Sequence, residues 1–181
     1  MYRIFEKETL MKILVTYYSK TGNTKAVAET IFHELQKEDA EIKPIKEVEN
    51  PEDYLLVFCG FPVHAHSVPV AVHNFIKKLR QGQKIALFST HGSKTDGQMP
   101  KEAIHQAIGL AKDVEVLGSF TCRGQVEQDI IDELMRKPEH KAWAMEAASA
   151  KDHPDKADLE DASMFAMGML KKAMKFEEFH K

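Results

Sequence analysis

The chain is predicted to be an α/β protein: a three-layer, doubly wound, five-stranded parallel sheet with an extra C-terminal helical segment. Three observations predict it. Short, almost wholly apolar runs alternate with segments of helical period along most of the 181 residues, the pattern of a parallel sheet buried between two helical layers. The runs around residues 12–18, 53–59 and 84–88 each stop at a loop rich in Gly, Ser, Thr or His. The composition, 43% hydrophobic and 29% charged, suits one globular domain with a sizeable core.

The elements follow in order. Lys12 to Tyr18 is a compact β-branched and aromatic run, expected as a buried first strand. From Thr24 to Lys37 the period changes, and Val27, Ala28, Ile31, Phe32 and Leu35 share one helical face. Asn23 or Thr24 is the expected N-cap. A short second strand over Glu41–Ile45 ends near the Asn50-Pro51 turn signal. Asp53 to Cys59 reads as the third strand, and Pro69 opens a helix whose Val72, Phe75, Ile76 and Leu79 point inward. Lys84–Phe88 is the fourth strand; Ile104, Ala107, Ile108 and Ala111 mark the next helix; Val114–Phe120 is the fifth strand. Ile130, Ile131, Leu134 and Met135 then outline an amphipathic helix, with Trp143 anchoring a second.

The last helix, Asp155 to Phe176, carries an apolar stripe of Leu159, Ala162, Phe165, Ala166, Met169, Leu170 and Ala173. Acidic residues sit early and lysines late, which complements the helix dipole. Its methionines are read as core packing. Residues 1–10 are assigned to an N-terminal extension peripheral to the site, 11–176 to the domain and 177–181 to a tail.

Charge and hydropathy exclude several classes. A formal net charge of -3, with no basic stripe, argues against nucleic-acid binding. No apolar run approaches the roughly 20 residues a membrane-spanning helix needs. The first residues lack a signal-peptide core, so a cytoplasmic protein is expected.

In parallel sheets ligands bind beyond the carboxyl ends of the strands, beside the topological switch point. Three loops leave carboxyl ends here. The first, Ser19-Lys20-Thr21-Gly22-Asn23-Thr24, offers hydroxyls, an amide and a glycine at a helix start. Those groups suit a phosphate monoester held by neutral donors and backbone N–H groups. The segment matches neither GxxxxGK[ST] nor GxGxxG, so a nucleoside triphosphate or a dinucleotide pyrophosphate is a poor fit.

Strand Ile13–Tyr18 followed by Ser-Lys-Thr-Gly-Asn-Thr resembles the flavodoxin signature, whose phosphate loop follows [ST]-x-[ST]-G-x-T. The resemblance extends over about Met11–Phe176 and implies strand order 2-1-3-4-5, with FMN as cofactor. By that likeness Ser19, Lys20, Thr21, Gly22, Asn23 and Thr24 hold the FMN phosphate. Pro62, Val63, His64 and Ala65, after strand three, meet one side of the flavin ring, where a backbone carbonyl accepts from the reduced ring. Thr90, His91, Gly92, Ser93, Asp96 and Gly97, after strand four, meet the other side.

Many flavodoxins sandwich the ring between Trp and Tyr, and neither ring loop here contains either residue. His64, His66 or His91 stacks instead, or one ring face lies open to a partner. Two other readings of the histidines stand beside this one: a metal site built by His64, His66 and His91, or a general acid near the flavin. No metal is assigned, and His105 is read as structural. Strand four, lying between Cys59 and Cys122, keeps them about 10 Å apart, too far for a disulfide.

The resemblance implies a small electron-transfer carrier, monomeric or homodimeric, docking a reductase and an acceptor protein, with no nucleic acid or membrane partner. An NAD(P)H-dependent FMN or quinone reductase of the same fold is the alternative, and a flavin-less interaction module the third. No second nucleotide-binding motif is present, which favours the carrier. The segment 125–153 is read as a cover over the sheet edge or a partner surface.

Overall fold

The computed structural model describes residues 11–64, 67–94 and 96–178, and side chains as far as residue 175. The assigned N-terminal extension, Ala65, His66 and the last three residues lie outside these. Five parallel strands form one sheet in the order β2-β1-β3-β4-β5: β1 Lys12–Tyr17, β2 Asp39–Pro44, β3 Leu56–Pro62, β4 Lys84–His91 and β5 Glu115–Arg123. Helices α1 (Asn23–Glu34), α2 (Val70–Ile76) and α3 (Gln98–Leu110) connect them, and α4 (Gln128–Met135), α5 (Lys141–Ala148) and α6 (Lys156–Glu178) follow β5. The predicted fold class and strand order are those observed. Among the described residues no helix is long and apolar enough to cross a membrane.

The central strands are apolar at nearly every position because each face has its own helical layer. In β1, Ile13 and Val15 join one core while Leu14 joins the other. β3 and β4 split the same way: Phe58 and Phe88 face the first core, Cys59 and Leu87 the second. The first core packs under α1 and α6, the second under α2 and α3. This period-2 division is why continuous apolar runs, rather than alternating ones, mark the strands. Phe165 of the α6 stripe lies edge-on to Phe58 and stacks on Phe120, which seats α6 against β3 and β5.

Gly60 is required by space and Gly22 by backbone geometry. A Cβ on Gly60 would lie 2.1 Å from Phe88 Cε2, so β3 must be bare there for the Phe88 ring to fit. Gly22 has φ +96° with nothing near its side-chain position; it is there for the left-handed turn. Both cysteines are free and buried, with β4 between their strands.

The strands facing the site run further than expected. β3 continues to Pro62, β4 to His91 and β5 to Arg123, so Pro62, Thr90 and His91 sit on strand ends and not in free loops. Edge pairing supplies the reason: Pro62 lies opposite Thr90, and His91 opposite Arg123. These partners are distant in sequence, and local propensity does not register them.

Candidate functional site

β1 ends at Tyr17 and the chain turns through Ser19–Gly22 into α1. The N-cap is Gly22, not Asn23 or Thr24. Its left-handed backbone lets its carbonyl accept from the Ala26 N–H at 2.9 Å, while its own N–H donates to Ser19 Oγ at 3.1 Å. Asn23 and Thr24 are therefore the first residues of the helix, and their side chains are free for longer-range work. Asn23 Nδ2 donates to the Gln125 carbonyl at 2.8 Å. Thr24 Oγ1 and Thr90 Oγ1 share a hydrogen bond of 2.8 Å, joining the helix start to the end of β4. No side chain caps the first turn of α1, so its leading N–H groups remain open to an anion.

Above these groups lies a cleft of about 810 Å³, within the size range of small-ligand sites. It gathers Ser19, Lys20, Thr21, Asn23 and Thr24 from the first loop, Pro62, Val63 and His64 from the second, and Thr90, His91 and Gly92 from the third. Eleven of the sixteen predicted site residues thus meet in one place. Gly22, Ser93, Asp96 and Gly97 do not line it. Gly22 is the turn beneath the loop, and Gly97 caps α3 with its N–H on the Lys94 carbonyl at 2.9 Å. Asp96 is exposed in that same turn.

Ser93 is buried and acts as a junction. Its carbonyl accepts from His91 Nδ1 at 3.1 Å and Arg123 Nε at 3.2 Å, and its hydroxyl accepts from Trp143 Nε1 at 3.3 Å. A carbonyl only accepts, so Nδ1 of His91 carries the proton and Nε2 is the lone-pair nitrogen. Among the described residues that Nε2 is buried without a partner. Burial, reinforced by the nearby Arg123 guanidinium, depresses the His91 pKa, with the bond to Ser93 opposing it. Burial and then Lys20 depress that of His64. Both imidazoles are consequently neutral near pH 7. His64 also stands edge-on to Tyr18, with ring centroids 6.1 Å apart.

The other wall comes from the segment that follows β5, which sequence reasoning left as a cover or a partner surface. Gly124, Gln125, Val126 and Glu127 lead into it, Ile130 arrives from α4, and His140 and Trp143 from the start of α5. Met99 of α3 completes the wall. The sequence signal was an amphipathic helix and one tryptophan, neither of which carries an address. What seats them is Arg123: Nη2 donates to the Glu146 carbonyl at 2.9 Å and Nη1 to the Ser149 carbonyl at 3.0 Å, while Nε holds Ser93. Gly92 is bare so that Val126 can approach; a Cβ there would lie 2.4 Å from Val126 Cγ2.

Among the described residues one cluster has metal-ligand geometry, His153 with Asp155 and Asp158. The start of α6 accounts for it. Asp155 N–H donates to Asp158 Oδ2 at 2.9 Å and Asp158 N–H to Asp155 Oδ1 at 3.0 Å, a reciprocal cap of the kind that helix starts need.

Strand order, the loop at the start of α1 and the cleft define a parallel α/β protein with a candidate ligand site across the carboxyl ends of β1, β3 and β4. A family model described as the flavodoxin domain matches residues 14–167. The chain belongs to the flavodoxin family. It is 33% identical over 182 residues to the flavodoxin-like domain-containing protein BilS of Clostridioides difficile (strain CD3), covering 90% of this chain and 98% of that protein. Oxidised flavodoxin 2 from Bacillus cereus superposes with TM-score 0.61 at 18% identity, over 89% of this chain and 99% of that one. Fusobacterium nucleatum flavodoxin bound to flavin mononucleotide gives TM-score 0.53 at 14% identity, over 78% and 95%.

Proposed function

We propose that this chain binds FMN in the cleft and works as an electron-transfer carrier between a reductase and an acceptor protein. One observation carries the reading: a single cleft has a hydroxyl-lined helix start at one end and a mainly apolar, imidazole-bearing wall at the other. A phosphate ester with a flat heterocycle at its far end has that same polarity.

The donor set fits. Ser19 and Thr21 bring hydroxyls, α1 brings its open N–H groups, and Lys20 adds one positive charge. Thr24 and Thr90 use one proton between their two oxygens, which leaves the second hydroxyl proton for an acceptor in the cleft. At the ring end, the orphaned His91 Nε2 is an acceptor that a ligand N–H would satisfy, and buried acceptors are seldom left unpaired. The likeness to a flavodoxin bound to flavin mononucleotide agrees with this assignment.

FMN, when bound, supplies the redox chemistry in one- or two-electron steps. The chain's own residues hold the phosphate, orient the ring between the β3 and β4 ends, and exclude water with Met99, Val126 and Ile130. His91, neutral and proton-bearing only at Nδ1, offers no proton to the ligand from Nε2. The partner protein would dock on the His64 side of the cleft mouth.

The test is reconstitution of the purified chain with FMN, followed by stepwise reduction under a visible spectrum. Retained flavin reduced one electron at a time, with no NAD(P)H turnover, is the expected result. Rapid NAD(P)H oxidation would assign a reductase instead. No flavin uptake would overturn both readings in favour of an interaction module.

A further inference from the structure

Among the described residues lining the cleft, Trp143 is the only one with a carbocyclic aromatic ring. It comes from neither ring loop but from α5, and it is cross-tied to the β4–α3 loop. Its indole N–H donates to Ser93 Oγ at 3.3 Å. Three and six residues further along, the Glu146 and Ser149 carbonyls are held by Arg123, and Glu146 Oε1 accepts from the Lys94 N–H at 2.5 Å. Behind it, Gly92 lets Val126 pack against the loop. The indole is therefore positioned by bonds to the protein and does not wait for a ligand to order it.

We propose that Trp143 is the ring-binding residue of the cleft: the α4–α5 segment supplies the aromatic surface that the β3 and β4 loops lack. The inference rests on the FMN reading above. With its N–H engaged by Ser93, the indole has only its π face left to offer. An electron-rich π face suits a planar, electron-poor tricycle such as isoalloxazine. Met99, Val126 and Ile130 line the same cleft and add apolar surface beside a stacked ring. The cleft then grips its ligand at two ends, by the phosphate at α1 and by the ring at α5. A Trp143 that merely covered Ser93 would contribute to stability and not to ring affinity.

The experiment titrates wild type, W143F and W143L with FMN, with riboflavin (ring without phosphate) and with inorganic phosphate. Folding of each variant is checked by circular dichroism. W143L is expected to weaken FMN and riboflavin by a common factor of about ten and to leave phosphate binding unchanged, while W143F retains most of the ring affinity. Equal ring affinity in W143L and wild type overturns the proposal, as does a W143F that is as weak as W143L, since ring affinity would then not follow the aromatic face. Should W143L fail to fold, S93A is read in its place. Removing the indole's anchor is expected to weaken riboflavin by about two-fold or more, and unchanged riboflavin affinity overturns the proposal. A wild-type chain that takes up no flavin at all removes the FMN reading itself, which these variant comparisons do not touch.

Discussion

Thr24 and Thr90 lie 66 residues apart in sequence, yet their hydroxyls meet at 2.8 Å in the floor of the cleft. They are 1% and 3% exposed. Neither hydroxyl has another protein partner among the described residues, so Thr24→Val removes this hydrogen bond and leaves the almost wholly buried Thr90 hydroxyl without a protein partner. Such a bond contributes about 0.5–1.5 kcal/mol, whereas a stranded buried hydroxyl costs about 1–3 kcal/mol. Each single valine variant is therefore expected to lose about 1–3 kcal/mol. The double variant leaves no orphan and replaces both hydroxyls by methyls of similar size. Its loss should fall short of the sum of the singles by about 1 kcal/mol or more. Urea unfolding of the flavin-free chain is the assay. With a slope of about 2 kcal/mol per molar, each single lowers the midpoint by roughly 0.5–1.5 M. Additive losses, within about 0.3 kcal/mol, would refute the reasoning, because they would mean that each hydroxyl is satisfied without the other.

Three further outcomes follow from the same structure. Gly92→Ala places a Cβ against Val126 Cγ2 and should cost about 1–3 kcal/mol as overpacking; adding Val126→Ala removes the clashing methyl and should restore most of the loss in a urea titration, and no rescue would locate the strain elsewhere. The depressed pKa values of His91 and His64 mean that the unfolded chain takes up protons below about pH 6.5 that the folded chain refuses. Stability should be fully present above that pH and decline as pH falls towards the folded-state values; His91→Gln should flatten the slope of urea midpoint against pH, and an unchanged slope would remove His91 from the account. Burial pushes the Cys59 thiol up to about 12 and raises that of Cys122 as well, so a thiol reagent at neutral pH should label neither cysteine in the native chain and both in urea; rapid native labelling would contradict their burial.

Much of the site was legible because its chemistry is local. Ser19 to Thr24 is one contiguous segment, and a strand, a glycine turn and a helix in that order state their own geometry. Pro62, His64, Thr90 and His91 were reachable because parallel strands all deliver their carboxyl ends to one edge. The N-cap was misplaced for a subtler reason. Cap preference favours Asn or Thr, but Gly22 at φ +96° meets a backbone demand that outweighs a side-chain bond, and it frees Asn23 to reach Gln125. Asp96 and Gly97 were drawn into the site by likeness, whereas the turn they form serves the start of α3.

Trp143 marks where sequence reading stopped. Its helix was expected and its contact was not, since nothing in the spacing of an amphipathic helix says which loop it covers. Taken by itself, the sequence determined the α/β class, the alternation of elements, the glycine turn that opens α1 and the two-sided core, because each depends on period and on neighbours within one turn or strand. The tertiary structure alone decided that Arg123 would clamp α5 to Ser93, that Thr24 would bond Thr90, and that Trp143 would wall the cleft. Those are contacts between segments 23 to 66 residues apart, and only the closing of the sheet and the packing of α4 and α5 on it bring their atoms within bonding distance.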